Sequence, residues 1–173
     1  MWFVLMVGAN LEQRAGGNPL QNLDAKEFIL PSGNVTYLSG LLGGNAQFLI
    51  DDINDTKIGA SPSARNYLEH YATFTGKIRH PVIQLHSAYD TMAHVAGTGL
   101  YRDTVNDAGR GDLLLQAYTG LGTGHGIFTE TQYLQTLAAM EEWLDAGTRP
   151  DPDDYFKVVD GFLPGFVPPP WPR

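Results

Sequence analysis

HPVIQLHSAYD, residues 80–90, is a short β-branched run that closes on polar residues; it predicts a strand over Pro81–His86 and a loop over Ser87–Asp90. The pattern returns in DLLLQAYTG (112–120), which predicts a second strand over Leu113–Tyr118. Between them, TMAHVAGTGLYRDTVNDAG (91–109) spaces Val95, Leu100, Tyr101 and Val105 as one helical face, weakened by Gly97 and Gly99 and ending at a glycine. FTETQYLQTLAAMEEWLDAG (128–147) predicts a long helix with Thr129 as N-cap, Gln132 three positions on, and Gly147 as the stop. Tyr133, Leu137, Met140 and Leu144 are read as its buried face. Strand, helix, strand, helix in this order indicates an α/β chain with a parallel sheet and right-handed crossovers.

Working outward, residues 1–7 (MWFVLMV) are all apolar, and Gly8 and Asn10 follow. This run reads as a strand buried on both faces, as the middle of a parallel sheet requires. A chain that opens inside such a strand is expected to be part of a longer fold. Residues 10–63 are rich in Gly, Asn and Asp without a sustained period, which predicts a loop-dominated excursion with one or two short helices. SPSARNYLEHYATFTG (61–76) then predicts a helix over about Pro62–Ala72, with Ala64, Tyr67, Leu68 and Tyr71 at helical spacing. The segment after Pro150 is Pro-rich and is expected to wrap the surface or to be partly disordered, with Trp171 in a docked tail.

The chain has 173 residues, 43% hydrophobic and 17% charged, and a formal net charge of -8. That balance gives one globular domain and argues against nucleic acid or an anionic membrane as partner, since both need clustered Lys and Arg. There is no cysteine, hence no disulfide, no thiolate metal site and no cysteine nucleophile, and the redox compartment stays open. The N-terminal run lacks the basic flank and cleavage site of a signal peptide and is too short for a membrane span.

Ligands of open parallel sheets bind beyond the carboxyl ends of the strands. Asp90 follows the first strand and His125, in GTGHG (122–126), follows the second, so neighbouring strands bring them to one edge. The glycines allow a tight turn, while an aspartate beside the imidazole can accept its Nδ1 proton, giving a general base and its orienter. His86, Asp90 and His94 recur every four residues, but that spacing stacks side chains only on a helix, so no metal site is read there. DDINDT (51–56) lacks the calcium-loop pattern and reads as a solvated loop. Ser39, Ser61, Ser63 and Ser87 lack a strand-turn-helix context and read as turn or cap serines.

HPVIQLHSAYD, together with GTGHGIFTETQYLQTLAAMEEWLDAGTRP (122–150), resembles the C-terminal half of an α/β-hydrolase, in particular esterase-like members. LEQRAGGNPLQN (11–22) and the Gly/Asn-rich stretch after it resemble the cap segment that such proteins insert. The resemblance covers most of the chain up to about Pro150, and it implies a partial hydrolase-like parallel sheet flanked by helices over 1–150, a cap-like segment over about 10–75, and a tail over 151–173. It also implies that Asp90 is the triad acid and His125 the triad base. A cysteine often follows that histidine in the family, where this chain has Gly126.

The sequence departs from the family in having no G-x-S-x-G elbow, so the nucleophile and its oxyanion donors are not evident. The expected activity is hydrolysis of a small carboxylic ester or lactone without a cofactor. An open apolar sheet edge predicts a homo-oligomer or a complementing chain. The alternatives are a non-catalytic interaction module and a metal- or water-dependent hydrolase around His86, Asp90 and His125.

Overall fold

The structure, a computed structural model, describes residues 2–23, 27–30, 32–120, 122 and 124–171, the first six of them as backbone only. Met1, which opens the predicted N-terminal strand, lies outside these residues. Among the described residues there are seven α-helices and a two-stranded parallel sheet, a small α/β architecture. The chain divides into two compact units, Met1–Thr73 and Phe74–Arg173.

The first unit is helical. The expected N-terminal strand is instead a helix, α1 (Trp2–Ala15), ended by Gly16 and Gly17 rather than by Gly8 or Asn10. An apolar run of seven has no period to choose helix or strand, and the good helix formers of LEQRA extend the segment to fourteen residues. Helices α2 (Ser32–Leu42) and α3 (Ala46–Asp55) pack on each other, while α4 (Pro62–Tyr71), starting one residue after Ser61 as its Pro predicts, packs on α1. The acidic stretch read as a solvated loop therefore lies largely within α3, which Asn45 caps by accepting the Gln47 N–H.

Side-chain amides extend a short backbone pairing between α1 and α4, in which the Asn22 N–H meets the Ile58 carbonyl and the Ser61 N–H the Asn18 carbonyl. Asn22 accepts the Ile58 N–H at 2.7 Å and donates to the Thr56 carbonyl at 2.7 Å. Asn54 accepts from the Phe28 N–H and donates to the Phe28 carbonyl, and Asn18 donates to the carbonyls of Leu20 and Gly59. Each amide carries one acceptor and two donors, so one residue can satisfy both polar groups of a facing peptide unit. The Asn-rich composition that signals loop is thus what orders the connection.

The second unit holds the sheet. β1 (Val82–Ser87) and β2 (Leu114–Thr119) pair in parallel with Ile83 opposite Leu115 and Leu85 opposite Ala117. These four alternate residues face Ala139 and Trp143 of α6 (Glu130–Ala146) and join Phe156 and Phe162 in one core. A two-stranded sheet is marginal alone, and burial of such side chains, at about 1.5–3 kcal/mol each, supplies what the strands lack. The opposite face is polar: Gln116 donates to Gln84 and to the Thr98 carbonyl of α5 (Ala96–Asp107), and the Tyr118 hydroxyl bonds Thr98 and Gln116.

Helix α6 begins as its sequence predicts. Thr129 accepts the Gln132 N–H at 3.2 Å, Gln132 accepts the Thr129 N–H at 3.0 Å, and Gly147 closes the helix. Its buried face differs from the expected one. Tyr133, Leu137 and Leu144 are exposed, Met140 is half-buried, and Gln132, Ala139 and Trp143 are buried. The small Ala139 lets the sheet approach, and the fully buried Gln132 amide is satisfied by Thr129 and the Asp160 carbonyl.

The segment after Pro150 does more than wrap the surface. It forms α7 (Pro152–Tyr155), inserts Phe156 and Phe162 into the core, and pairs Thr119 with Phe162 in an antiparallel bridge. Pro168 and Trp171 then lie against Gly99 and Gly97 of α5, close enough that a Cβ at either glycine would touch them at ordinary contact distance. At Gly76 the backbone has φ +68°, and an added Cβ would collide with the Thr104 carbonyl. Gly76→Ala is therefore expected to destabilise this unit by roughly 1–3 kcal/mol, the usual scale for such strain. A urea midpoint unchanged from the parent would refute it.

Candidate functional site

Asp90 and His125 meet at the carboxyl end of the sheet, as the positions of their loops predict. Ser87 ends β1, and a turn brings Asp90 back over it; the Asp90 N–H bonds the Ser87 carbonyl at 3.3 Å. One Asp90 oxygen, Oδ1, accepts the N–H groups of Met92 and Ala93, both at 2.8 Å. An aspartate accepting from the second and third residues after it is a local turn device, and it fixes the carboxylate before any partner arrives. Oδ2 accepts the Gly126 N–H at 3.4 Å and stands 3.0 Å from His125 Nδ1.

The GTGHG loop supplies the other half. Gly122, Gly124 and Gly126 have φ of 78°, 153° and 64°, and a Cβ at Gly124 would run into the Ile127 side chain. The loop therefore turns where L side chains rarely can, and His125 and the next N–H both address one carboxylate.

The electrostatics follow from this geometry. The Asp90 side chain is only 2% exposed, yet it lies under a thin layer of loop rather than deep in the core. Burial alone would raise its carboxyl; the N–H groups of Ala93 and Met92, the His125 ring and the Gly126 N–H outweigh that and hold it at about 2. It is thus an anion at neutral pH. An anion at that distance favours the tautomer in which His125 Nδ1 carries the proton and donates to Asp90, leaving Nε2 as a free base. The His125 side chain is 54% exposed, so solutes can approach it.

His86 belongs to the same neighbourhood, although its spacing to Asp90 and His94 suggests only a metal ligand. It is buried at the end of β1; burial lowers its imidazole below the ordinary range, Asp90 draws it back up, and His125 lowers it again. The signal was its place one turn of chain before Asp90. His94 does not join the pair: its Nδ1 accepts the Ala96 N–H at the start of α5. Among the described residues no three of His, Cys, Asp and Glu are placed to hold a metal ion.

Ser87, Ser39 and Ser61 have structural roles. Ser87 is 1% exposed and accepts the Tyr89 N–H, Ser39 accepts the Ala46 N–H, and the Ser61 hydroxyl reaches the Asn18 carbonyl. Ser63 is an exposed residue within α4. Beside Ser87 in the register, Thr119 is fully buried with a hydroxyl that has no partner among the described residues.

A cavity of about 700 Å³ lies elsewhere in the second unit, along β2 and the C-terminal segment, and none of its lining residues belongs to the Asp90 or His125 loops. No described helix is long and apolar enough to cross a membrane. Comparison with known proteins found no matching family, no similar characterised protein and no similar solved structure.

Proposed function

We propose that Asp90 and His125 are the acid and base of a hydrolase acting on small carboxylic esters or lactones, in an α/β-hydrolase-like arrangement. The observation that carries this reading is the Asp90 carboxylate, clamped by Met92 and Ala93 and 3.0 Å from Nδ1 of a histidine whose ring is open to solvent. Nε2 of His125 takes the proton from an attacking hydroxyl, Asp90 stabilises the imidazolium, and the imidazolium returns the proton to the leaving alkoxide. The attacking group is water or a serine of another chain; Ser87, the serine of this chain nearest Asp90 in sequence, is buried.

Hydrolysis of p-nitrophenyl acetate by the purified chain and by His125→Ala tests this reading. The variant is expected to be slower by about 100-fold or more, the scale of a lost general base. Equal rates would remove His125 from the mechanism. Activity in neither protein would favour the second reading, a non-catalytic module, which the burial of Ser87 supports. A serine-directed fluorophosphonate probe separates the two arrangements, since a nucleophilic serine in an assembled complex is labelled and a water-based or inactive site is not.

A further inference from the structure

The outer edge of β2 is an unfinished strand pairing. β2 turns one edge to β1, and Ala88 N–H meets the Thr119 carbonyl on that side. On the other side the Tyr118 carbonyl accepts the Leu163 N–H and the Leu114 carbonyl accepts from Arg149 Nη1. Backbone groups alternate between edges along a strand, so the N–H and C=O of Gln116 also point outward. Among the described residues they have no backbone partner on that side.

The C-terminal segment begins to fill this edge and then leaves it. Gly161–Leu163 runs antiparallel to β2, with Gly120 N–H on the Gly161 carbonyl and Phe162 opposite Thr119. Pro164 has no N–H to continue the ladder, and the Phe166 N–H bonds the Leu163 carbonyl across a turn with Gly165 at φ 71°. The Gly165 N–H is anchored on Asp153. What remains beside Gln116 is the cavity of about 700 Å³, walled by Phe156, Leu163 and Phe166, within the size range of ligand sites.

We propose that this slot binds a short extended peptide as an antiparallel strand on β2, with its C-terminal carboxylate at Arg149. The direction comes from the chain itself: a strand continuing the course of Gly161–Leu163 runs from Tyr118 toward Leu114. Its C-terminus therefore arrives at the end held by Arg149. The Arg149 guanidinium donates only to the carbonyls of Gly111 and Leu114 and has no carboxylate in ion-pair contact among the described residues, although Asp112 lines the same end. Backbone pairing supplies the affinity of such strand addition, and the apolar walls select alternate side chains. The inference does not depend on the hydrolase reading, because Asp90 and His125 take no part in it.

The probe is the tetrapeptide acetyl-Val-Thr-Val-Leu with a free carboxylate, titrated into the ¹⁵N-labelled full chain. Saturable shifts are expected at the Gln116 amide, together with about tenfold slower hydrogen exchange there at saturation. The same peptide N-methylated at alternate backbone nitrogens is expected to give neither, and the C-terminal amide form to bind about two- to fivefold more weakly, the scale of an exposed ion pair. No saturable shift at Gln116 up to several millimolar peptide, or equal binding of the N-methylated form, overturns the proposal. Equal binding of the carboxylate and amide forms overturns the role given to Arg149.

Discussion

Asp90→Asn is expected to lower hydrolysis as far as His125→Ala does, by about 100-fold at least and by up to about 10⁴-fold, the scale found when a triad acid loses its charge but not its shape. The asparagine oxygen can still accept the Met92 and Ala93 N–H groups that Oδ1 accepts now. Its NH₂ group would take the place of Oδ2, facing the Gly126 N–H and His125 Nδ1. Two donors would then oppose one another, and the imidazole would relieve the clash by accepting at Nδ1 and carrying its proton on Nε2. That tautomer cannot act as the base. A rate close to that of the parent would show that Asp90 does not orient the reacting imidazole.

The same substitution has a pH signature in stability. The Asp90 carboxyl is held at about 2 in the folded chain, below the ordinary value near 3.9 of an unfolded aspartate. A depressed folded value means that the carboxylate stabilises the fold above the unfolded value, and that this contribution disappears as pH falls from about 4 to about 2. The parent is therefore expected to be more stable than Asp90→Asn at pH 6 to 7, with the difference shrinking through that acid window. Urea midpoints of both proteins across pH 2–7 measure it, and a constant difference would contradict it.

Phe156→Ala is the substitution expected to damage the fold most. Phe156 is 2% exposed, stacks on Phe162 with ring centroids 4.5 Å apart, and shares a core with Leu115, Ala117 and Trp143. Removing a ring from such a site costs about 3–5 kcal/mol through lost burial and the cavity left behind. A domain of this size is stable by only about 5–15 kcal/mol, so the second unit would be near its unfolding threshold. Denaturant unfolding followed by fluorescence of Trp143 in a Trp2→Phe, Trp171→Phe background, with and without Phe156→Ala, checks this, and a loss below about 1 kcal/mol would mean that the C-terminal segment does not hold the core together.

The parts of this fold legible in the sequence are those fixed locally or by strand order. Thr129, Gln132 and Gly147 announce the ends of α6 because caps act within a few residues. Asp90 and His125 could be paired from sequence because loops that follow neighbouring parallel strands share an edge. Two departures concern apolar patterns. The apolar run over residues 2–7 has no period to choose helix or strand, and the Tyr133–Leu144 stripe is apolar without deciding which face of α6 meets the sheet. The outward edge at Gln116 is likewise invisible in sequence, because it depends on a distant proline ending a pairing that has already begun.

The two units are ordered by different currencies of interaction. Among the described residues, the buried apolar side chains of the first unit are Ala15, Ala46, Ile50 and Ala64, with Pro19 beside them, while Asn18, Asn22 and Asn54 hold its connection by hydrogen bonds. Heat capacity of unfolding rises with exposed apolar surface and falls with exposed polar surface, and the denaturant slope follows total surface exposed. Opening the connection clamped by Asn18, Asn22 and Asn54 is consequently expected to leave a fainter calorimetric trace than opening the aromatic core around Phe156 and Phe162.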